Sequence, residues 1–331
     1  ILSTSYGILF SNHINLNDNH KKAIISIKDN TISNFHHDLI LSDLSKENQS
    51  FIITDNDQLI AIVPLNFITT NDKKKVGTYY GLSIPGPLFI ENLSLKKYKK
   101  ILKLIFLKID ERCAHEKICE IKINFSDLIE FNTGSQKYFI LLELLSLHGY
   151  VNKSLLGSRI NLTETYDIIS QNFTKGHKSE IKKSKNNSYS FENYQESKMG
   201  INEFYKILSD DKTNYIDDFI KPLYNLYKKN NIYIAFRATN KKFAAMFMLA
   251  GNTVEYFISS TMLNNQHSLI PEAIKFFKLI KKLQYLDLGI INSLENKNLN
   301  QNEKKNNIAL FKKGFGGEKY MISIFKKKYL R

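Results

Sequence analysis

The sequence has 331 residues, 43% of them hydrophobic and 12% aromatic, with 47 basic against 32 acidic residues for a formal net charge of +15. That length exceeds one ordinary domain, and that apolar content excludes wholesale disorder. No apolar run approaches the ~20 residues of a membrane-spanning helix, and no secretory leader pattern opens the sequence, so a cytoplasmic location is the expectation. The basic surplus favours anionic partners: tRNA, a nucleotide-linked small molecule, or peripheral contact with the inner membrane surface. An AT-rich coding composition accounts for the many lysines better than for the charge imbalance. Cys113 and Cys119 stand six apart with no histidine cluster beside them, which is neither zinc spacing nor a C-x-x-C pair. No metal is expected. His36, His37 and Asp38 lack the rest of a ligand set.

The first half alternates strands and helices. Phe51 to Thr54 and Leu59 to Leu65 are short β-rich runs around the turn Asp55-Asn56-Asp57, a hairpin pattern. Val76 to Tyr80 is a further strand. In Gly81 to Phe89, Pro85, Gly86 and Pro87 forbid helix and central strand, so this is an apolar loop. From Leu93 to Asp110, the residues Leu95, Tyr98, Leu102, Ile105, Phe106 and Ile109 recur at helical steps. Ile118 to Ile123 reads as a strand, Gln136 to Leu147 as a helix stopped at Gly149, and Ser158 to Leu162 as a strand.

The second half repeats the theme. Tyr166 to Ser184 is helical with a break near Gly176, Tyr189 to Tyr194 is extended, and Asn202 to Leu208 and Asp217 to Lys229 are helices. Ile232 to Ala238, Phe243 to Leu249 and Val254 to Thr261 form an antiparallel meander through Asn240-Lys241 and Gly251-Asn252. Ile270 to Leu283 is a helix with Pro271 in its first turn. Tyr285 to Ile290 is a strand, Asn292 to Asn307 a polar loop, Ala309 to Lys313 a short helix closed by Gly314, and Tyr320 to Lys326 the last strand. The order of elements in the two halves is similar, which suggests an internal duplication.

Lys241 to Met262 followed by Ile270 to Ile290 resembles the meander, helix and strand of an acetyltransferase (GNAT-like) core. The ending LFKKGFGGEKY, Leu310 to Tyr320, resembles the F-K-x-x-F-G turn and final strand of the FemABX family, through Phe311, Lys312, Phe315 and Gly316. Lys175 to Asn187, Glu255 to Ser260 and Tyr285 to Gly289 resemble that family's basic helix, central strand and D-x-G strand end. In the first half, Ala61 to Leu65 and Gly81 to Gly86 resemble its strand followed by a Pro-bearing loop. The resemblance implies an α/β (α+β) fold of two tandem GNAT-like domains, with mixed, largely antiparallel sheets flanked by helices. Residues 1–157 would be the first domain, and residues 158–331 the second, carrying the F-K-x-x-F-G motif.

The resemblance further implies an N-acyl- or aminoacyltransferase acting on an amine of a peptidoglycan-precursor, other cell-envelope or sugar-linked acceptor. No cofactor would be tightly bound; aminoacyl-tRNA or acyl-CoA would be the co-substrate. The Gly-rich loop that cradles a CoA pyrophosphate is missing, since Leu263 to Pro271 contains no glycine, which weighs toward the tRNA-linked donor. The coiled-coil insertion of some FemABX members is missing too, which weighs the other way.

Transfer to an amine needs an unprotonated nucleophile, a partner for the developing oxyanion and steering of an anionic donor. Lys312 is expected at a phosphate or the oxyanion, Tyr256 as a donor to the carbonyl or leaving group, and Asp287 as the group that orients or deprotonates the amine. His177, Lys178 and Lys182 on the basic helix, with His267, Phe315 and Gly316, form the expected donor or phosphate site. Tyr79, Tyr80 and Ser83 would line the acceptor cleft. Each has an ordinary alternative: a helix-terminal lysine suits the helix dipole, a strand tyrosine suits packing, and a basic helix face suits solvent. A non-catalytic GNAT-like module that binds RNA or an anionic surface is the competing reading.

Overall fold

The computed structural model describes residues 6–10, 48–56, 58–70, 72–78, 83–89, 93–125, 135–184, 188–193, 204, 206–207, 232–237, 243–250, 252–260, 266–292 and 307–329. Expectations for residues 36–38, Tyr79, Tyr80, the helix over 217–229, the turn at 240–241 and most of the polar loop over 292–307 lie outside these. So does most of the helix expected over 202–208.

The chain divides into two compact units, Ile1–Ser154 joined by Ile322–Arg331, and Leu155–Met321. The first contains β1 (Tyr6–Phe10), β2 (Phe51–Asp55), β3 (Gln58–Val63), β4 (Phe67–Thr69), β5 (Lys75–Gly77), β6 (Ile84–Pro85), β7 (Leu88–Phe89), α1 (Leu95–His115), β8 (Glu120–Asn124), α2 (Gln136–Leu147) and β9 (Val151–Asn152). The second contains β10 (Leu155–Asn161), α3 (Tyr166–Gln171), α4 (Lys175–Lys183), β11 (Tyr189–Asn193), β12 (Ile232–Arg237), β13 (Ala244–Ala250) and β14 (Thr253–Ser259). It continues with a 3-10 turn (Gln266–Ser268), α5 (Leu269–Phe277), β15 (Tyr285–Asn292), a short helix α6 over 307–313, and β16 (Glu318–Ile322). β17 (Ile324–Lys328) returns to the first unit.

In the first unit, β1-β2-β3-β7 form one sheet and β4-β5-β8-β17-β9 another, with β6 paired to β8. The expected hairpin is β2 and β3, antiparallel from Phe51↔Val63 to Asp55↔Gln58, with Asn56 in the left-handed region at its turn. The apolar runs of β2 and β3 are buried on both faces, Ile53, Ile60, Ala61 and Ile62 among them, whereas β8 alternates and buries Ile121 and Ile123. Helix α1 starts where Ser94 accepts a bond from the Lys97 N–H, and its i, i+3, i+4 stripe of Tyr98, Ile101, Leu102, Ile105, Phe106 and Ile109 is buried. Leu95, expected on that stripe, is exposed in the first turn.

The apolar Pro loop departs from expectation. Ile84–Pro85 and Leu88–Phe89 are two-residue strands, and Ile84 through Leu88 are buried. Pro85 is tolerated because it ends the short parallel pairing Ile84↔Ile123, Pro85↔Asn124, and the Gly86 N–H makes the next bond, to the Asn124 carbonyl at 2.7 Å.

In the second unit the seven-stranded order is β11-β12-β13-β14-β15-β10-β16. The meander β12-β13-β14 is antiparallel as expected. Its core joins Phe247, Val254, Leu269, Ile270, Ile274, Phe277, Leu286, Leu288 and Phe315. The helical break falls at Asn172–Thr174 rather than at Gly176, because the Thr174 side chain caps α4 through the His177 N–H; Gly176 lies inside α4. The expected last strand is two strands parted at Ser323.

The division expected after residue 157 falls after Ser154 in the structure, and residues 322–331 belong with the first unit. The cause is hydrogen bonding: β17 pairs antiparallel with β8 from Ile324↔Asn124 to Lys328↔Glu120, and with β9 through Phe325↔Asn152 and Lys326↔Val151. Asp110 of α1 secures the same segment. It accepts bonds from His148 Nδ1 at 2.8 Å, Lys327 Nζ at 2.6 Å and the Tyr329 hydroxyl at 2.7 Å. Among the described residues no helix is long and apolar enough to cross a membrane.

Asp110→Ala leaves three donors without their common acceptor and is expected to destabilise the first unit by about 2 kcal/mol. Urea unfolding followed by circular dichroism measures this; an unchanged midpoint would show that the tail is held by strand pairing alone.

Candidate functional site

Strands β14 and β15 are parallel neighbours, but their ladder covers only Thr253↔Tyr285, Val254↔Leu286 and Glu255↔Asp287. Each strand then follows its other partner. The β13–β14 ladder runs on to Ala245↔Ser259, and the β10–β15 ladder to Leu156↔Asn292. The sheet therefore parts just beyond Glu255 and Asp287. β15 also carries a register shift between Ser158↔Gly289 and Arg159↔Asp287, which sets Gly289 in the left-handed region at φ 74°.

Strand alternation places Leu286 and Leu288 in the core and Asp287 on the opposite face. There Asp287 Oδ1 accepts the Gly289 N–H at 2.6 Å, and Oδ2 accepts the Tyr320 hydroxyl. Burial raises the Asp287 pKa. The Tyr320 and Gly289 bonds and the charges of Lys312 and Arg159 pull it back. Lys312, like Asp287, is half-buried, and desolvation lowers its pKa while Asp287 and Glu255 raise it. Its Nζ lies against Gly289, 3.2 Å from where a Cβ would stand. Desolvation thus works against the charge on each group while the opposite charge of the other works for it. Tyr320 is raised by burial and then by Asp287, so it remains a donor. Its ring fits because residue 157 is glycine: a Cβ there would come within 2.5 Å of the ring. The Arg159 guanidinium covers the Tyr285 ring at 4.2 Å and the Tyr320 ring at 5.5 Å, adding positive charge beside the carboxylate.

The helix that carries Lys312 is fixed from behind. His177 Nε2 donates to the Phe311 carbonyl at 2.8 Å, and its Nδ1 meets the Thr174 hydroxyl at 3.1 Å. The His177 ring packs edge-on against Phe315 and His267, both with centroids at 4.7 Å. It also fills the space at Gly314, where a Cβ would come within 1.9 Å of the ring, and the Gly314 carbonyl accepts the Thr174 N–H at 2.9 Å. Gly316, at φ 65°, turns the chain where a Cβ would come within 2.1 Å of the Asn172 carbonyl oxygen. The glycines of the ending thus permit close backbone approach. Burial lowers the pKa of His177 and of His267, each partly restored by Glu180; the neighbouring His177 lowers His267 further.

Of the three residues expected at the chemistry, Asp287 and Lys312 lie together. Tyr256 is on the other face of β14, packed on Phe247 at 5.4 Å, and its hydroxyl donates to Ser259 Oγ at 2.6 Å; burial pushes its pKa up to about 12. Phe315 is a core residue. His267 sits in the 3-10 turn before α5. Lys178 and Lys182 are exposed on α4, and Lys178 Nζ donates to the Gln171 carbonyl at 3.0 Å, capping α3. Ser83 is half-buried beside β6, and Tyr79 and Tyr80 lie outside the described residues. Sequence reasoning missed Tyr320, Arg159 and Glu255, whose signals were an aromatic shortly after the glycine turn, an arginine in a chain dominated by lysine, and an acid in a β-rich run. Among the described residues no group of three or more His, Cys, Asp or Glu gathers as for a metal ion.

No family model matches this chain, and no curated protein matches it. Solved structures do match in fold. The crystal structure of FemX aligns with a TM-score of 0.63 at 11% identity, over 98% of this chain and 97% of that one. A tandem GNAT protein from the clavulanic acid biosynthesis pathway aligns at 0.56 and 7% identity, over 98% of each chain. The structure of L-PGS from Bacillus licheniformis aligns at 0.52 and 10% identity, over 94% of this chain and 92% of that one. The fold is that of tandem GNAT-like proteins.

Gly316→Ala is expected to cost about 1–3 kcal/mol, because it combines strain at positive φ with a backbone clash; thermal unfolding reads it. The histidines give a pH dependence. Their folded pKa values lie below the ordinary 6.5, so they contribute stability that is full above pH 6.5 and lost as pH falls through the folded values. Urea midpoints of the second unit should decline on acidification below pH 6.5. A His177→Gln/His267→Gln variant should flatten that slope.

Proposed function

We propose that this chain is an N-acyl- or aminoacyltransferase, with the reacting centre at Asp287, Lys312 and Tyr320 where β14 and β15 part. The observation that carries the reading is a half-buried carboxylate at the parting of two parallel strands, with a hydroxyl and a backbone N–H already bonded to it and the Lys312 ammonium beside Gly289. The parting gives the extended arm of an activated donor a place to lie along the strands.

In the proposed reaction the acceptor's neutral amine attacks the donor carbonyl carbon. The C–N bond forms, and the C–O bond of an ester or C–S bond of a thioester breaks. The Asp287 carboxylate takes the amine proton, and the Lys312 ammonium steadies the oxyanion and then supplies the proton that the leaving group needs. The proton on Asp287 returns to Lys312, which restores the pair. Tyr320 and the Gly289 N–H keep the carboxylate aimed throughout. No side chain is acylated.

The net charge of +15 and the glycine-free segment Leu263 to Pro271 support aminoacyl-tRNA as the donor over acyl-CoA. The resemblance of the Leu310 to Tyr320 ending to the FemABX family supports an acceptor of the cell envelope, such as a peptidoglycan precursor or another amine-bearing envelope component. Exposed Lys178 and Lys182 on α4 would contact donor phosphates.

A transfer assay with labelled aminoacyl-tRNA and acyl-CoA against a panel of amine acceptors tests this. Lys312→Ala and Asp287→Asn should each lower turnover about 100- to 1000-fold with the fold intact. If neither donor transfers to any amine while the chain still binds RNA in a salt-sensitive way, the transferase reading fails and a binding module takes its place.

A further inference from the structure

We infer that the outward face of α1 and α2 docks the first unit on an anionic lipid bilayer. This rests on the surface of that unit and not on the transferase reading.

Helix α2 is apolar around much of its circumference. Leu141, Leu144 and Leu145 are buried, yet Phe139 is 59% and Leu147 73% exposed. Two turns separate Phe139 from Leu147, with Glu143 between them on the same face. Helix α1 lies alongside: Lys99 Nζ bonds Glu143 at 3.0 and 2.8 Å, Lys137 Nζ lies 5.7 Å from the Tyr98 ring, and Asp110 meets His148 just past α2. These contacts run in the same order along both helices, so the helices are parallel and present one surface. The outward stripe of α1 is Lys96, Lys99, Lys103 and Leu107, the leucine being 52% exposed. Among the described residues of this face, Glu143 is held by Lys99 and Glu111 by Lys108.

The result is a surface roughly 16 Å long and about 10 Å wide, by the rise of a helix and the spacing of packed helices. Large apolar side chains project from it among surplus ammonium groups. Solvent alone does not favour an exposed phenylalanine and two leucines in one patch. A nucleic acid backbone would use the lysines and leave Phe139 and Leu147 in water. An anionic bilayer uses both, since acyl chains take the apolar side chains and headgroup phosphates take the lysines. Charge complementarity thus selects an acidic lipid surface as the occupant.

Vesicle co-sedimentation of the full chain tests the inference, with phosphatidylglycerol–phosphatidylcholine mixtures against phosphatidylcholine alone. The expected result is pelleting with the anionic vesicles only. Lys96→Gln/Lys103→Gln should weaken partitioning roughly 20-fold, and Phe139→Asp/Leu147→Asp should abolish it with the circular dichroism spectrum unchanged. The chain contains no tryptophan, so Phe139→Trp installs a single reporter that keeps an aromatic ring in place. Its emission should shift to the blue on anionic vesicles. Absence of wild-type binding, equal binding to neutral vesicles, or an unshifted emission from the Phe139→Trp variant would overturn the proposal. So would a dimer in ultracentrifugation that Phe139→Asp/Leu147→Asp makes monomeric while vesicles leave the wild type in solution, since the face would then join two copies.

Discussion

A carboxylate cannot be taken out of water without partners, and the second unit is arranged around that constraint at Asp287. Strand alternation puts it opposite the leucines on either side, and the β15 register shift presents the Gly289 N–H to it. The other partner comes from β16, across β10, where Gly157 leaves room for the Tyr320 ring. The positive charges arrive from α6 and from β10. Each supplier is a different element, so the packing of β10, β15, β16 and α6 is coupled to the electrostatics of one side chain. Disturbing any of the four changes the cost of burying that charge.

The second constraint is the narrow space behind α6. The His177 imidazole, the Thr174 cap and two close-approach glycines bring α4 and α6 into contact at backbone distance. The aromatic rings Phe173, Phe311 and Phe315 complete this contact at 5.1–5.5 Å. A lysine on a helix fixed this firmly loses little side-chain freedom when it engages a ligand, and such preorganisation favours transition-state stabilisation.

Much of the fold could be read from periodicity. The stripe on α1, the β2–β3 hairpin and the β12–β13–β14 meander follow from local pattern, because each is an apolar run that pairs or packs with its neighbours in sequence. What escaped reading depends on distant partners. Pro85 becomes a strand residue only because β8 lies beside it. The run Tyr320 to Lys326 becomes two strands because residues before and after Ser323 pair in different sheets. Asp287 and Lys312 are legible through the resemblance of their segments to the D-x-G strand end and the F-K-x-x-F-G turn, but the same resemblance groups Tyr256 with them, because one-dimensional spacing does not assign faces across a parallel ladder. Tyr320 and Arg159 come to Asp287 through strand order β15-β10-β16, which no local motif states.

Residues 322–331 complete the first unit from beyond the whole of the second: β17 lies between β8 and β9, and Asp110 is 217 residues from Lys327 and 219 from Tyr329. Domains emerging from a ribosome ordinarily fold in order from the N-terminus. Here the β8 edge stays open while every residue of the second unit is synthesised, and the strand that covers it leaves the exit tunnel only afterwards. The unit that begins first therefore closes last, and its final folding step is timed by the emergence of its neighbour. Until then α1 carries a carboxylate without two of its three donors, and an exposed β-strand edge offers itself to chaperones and to other nascent chains.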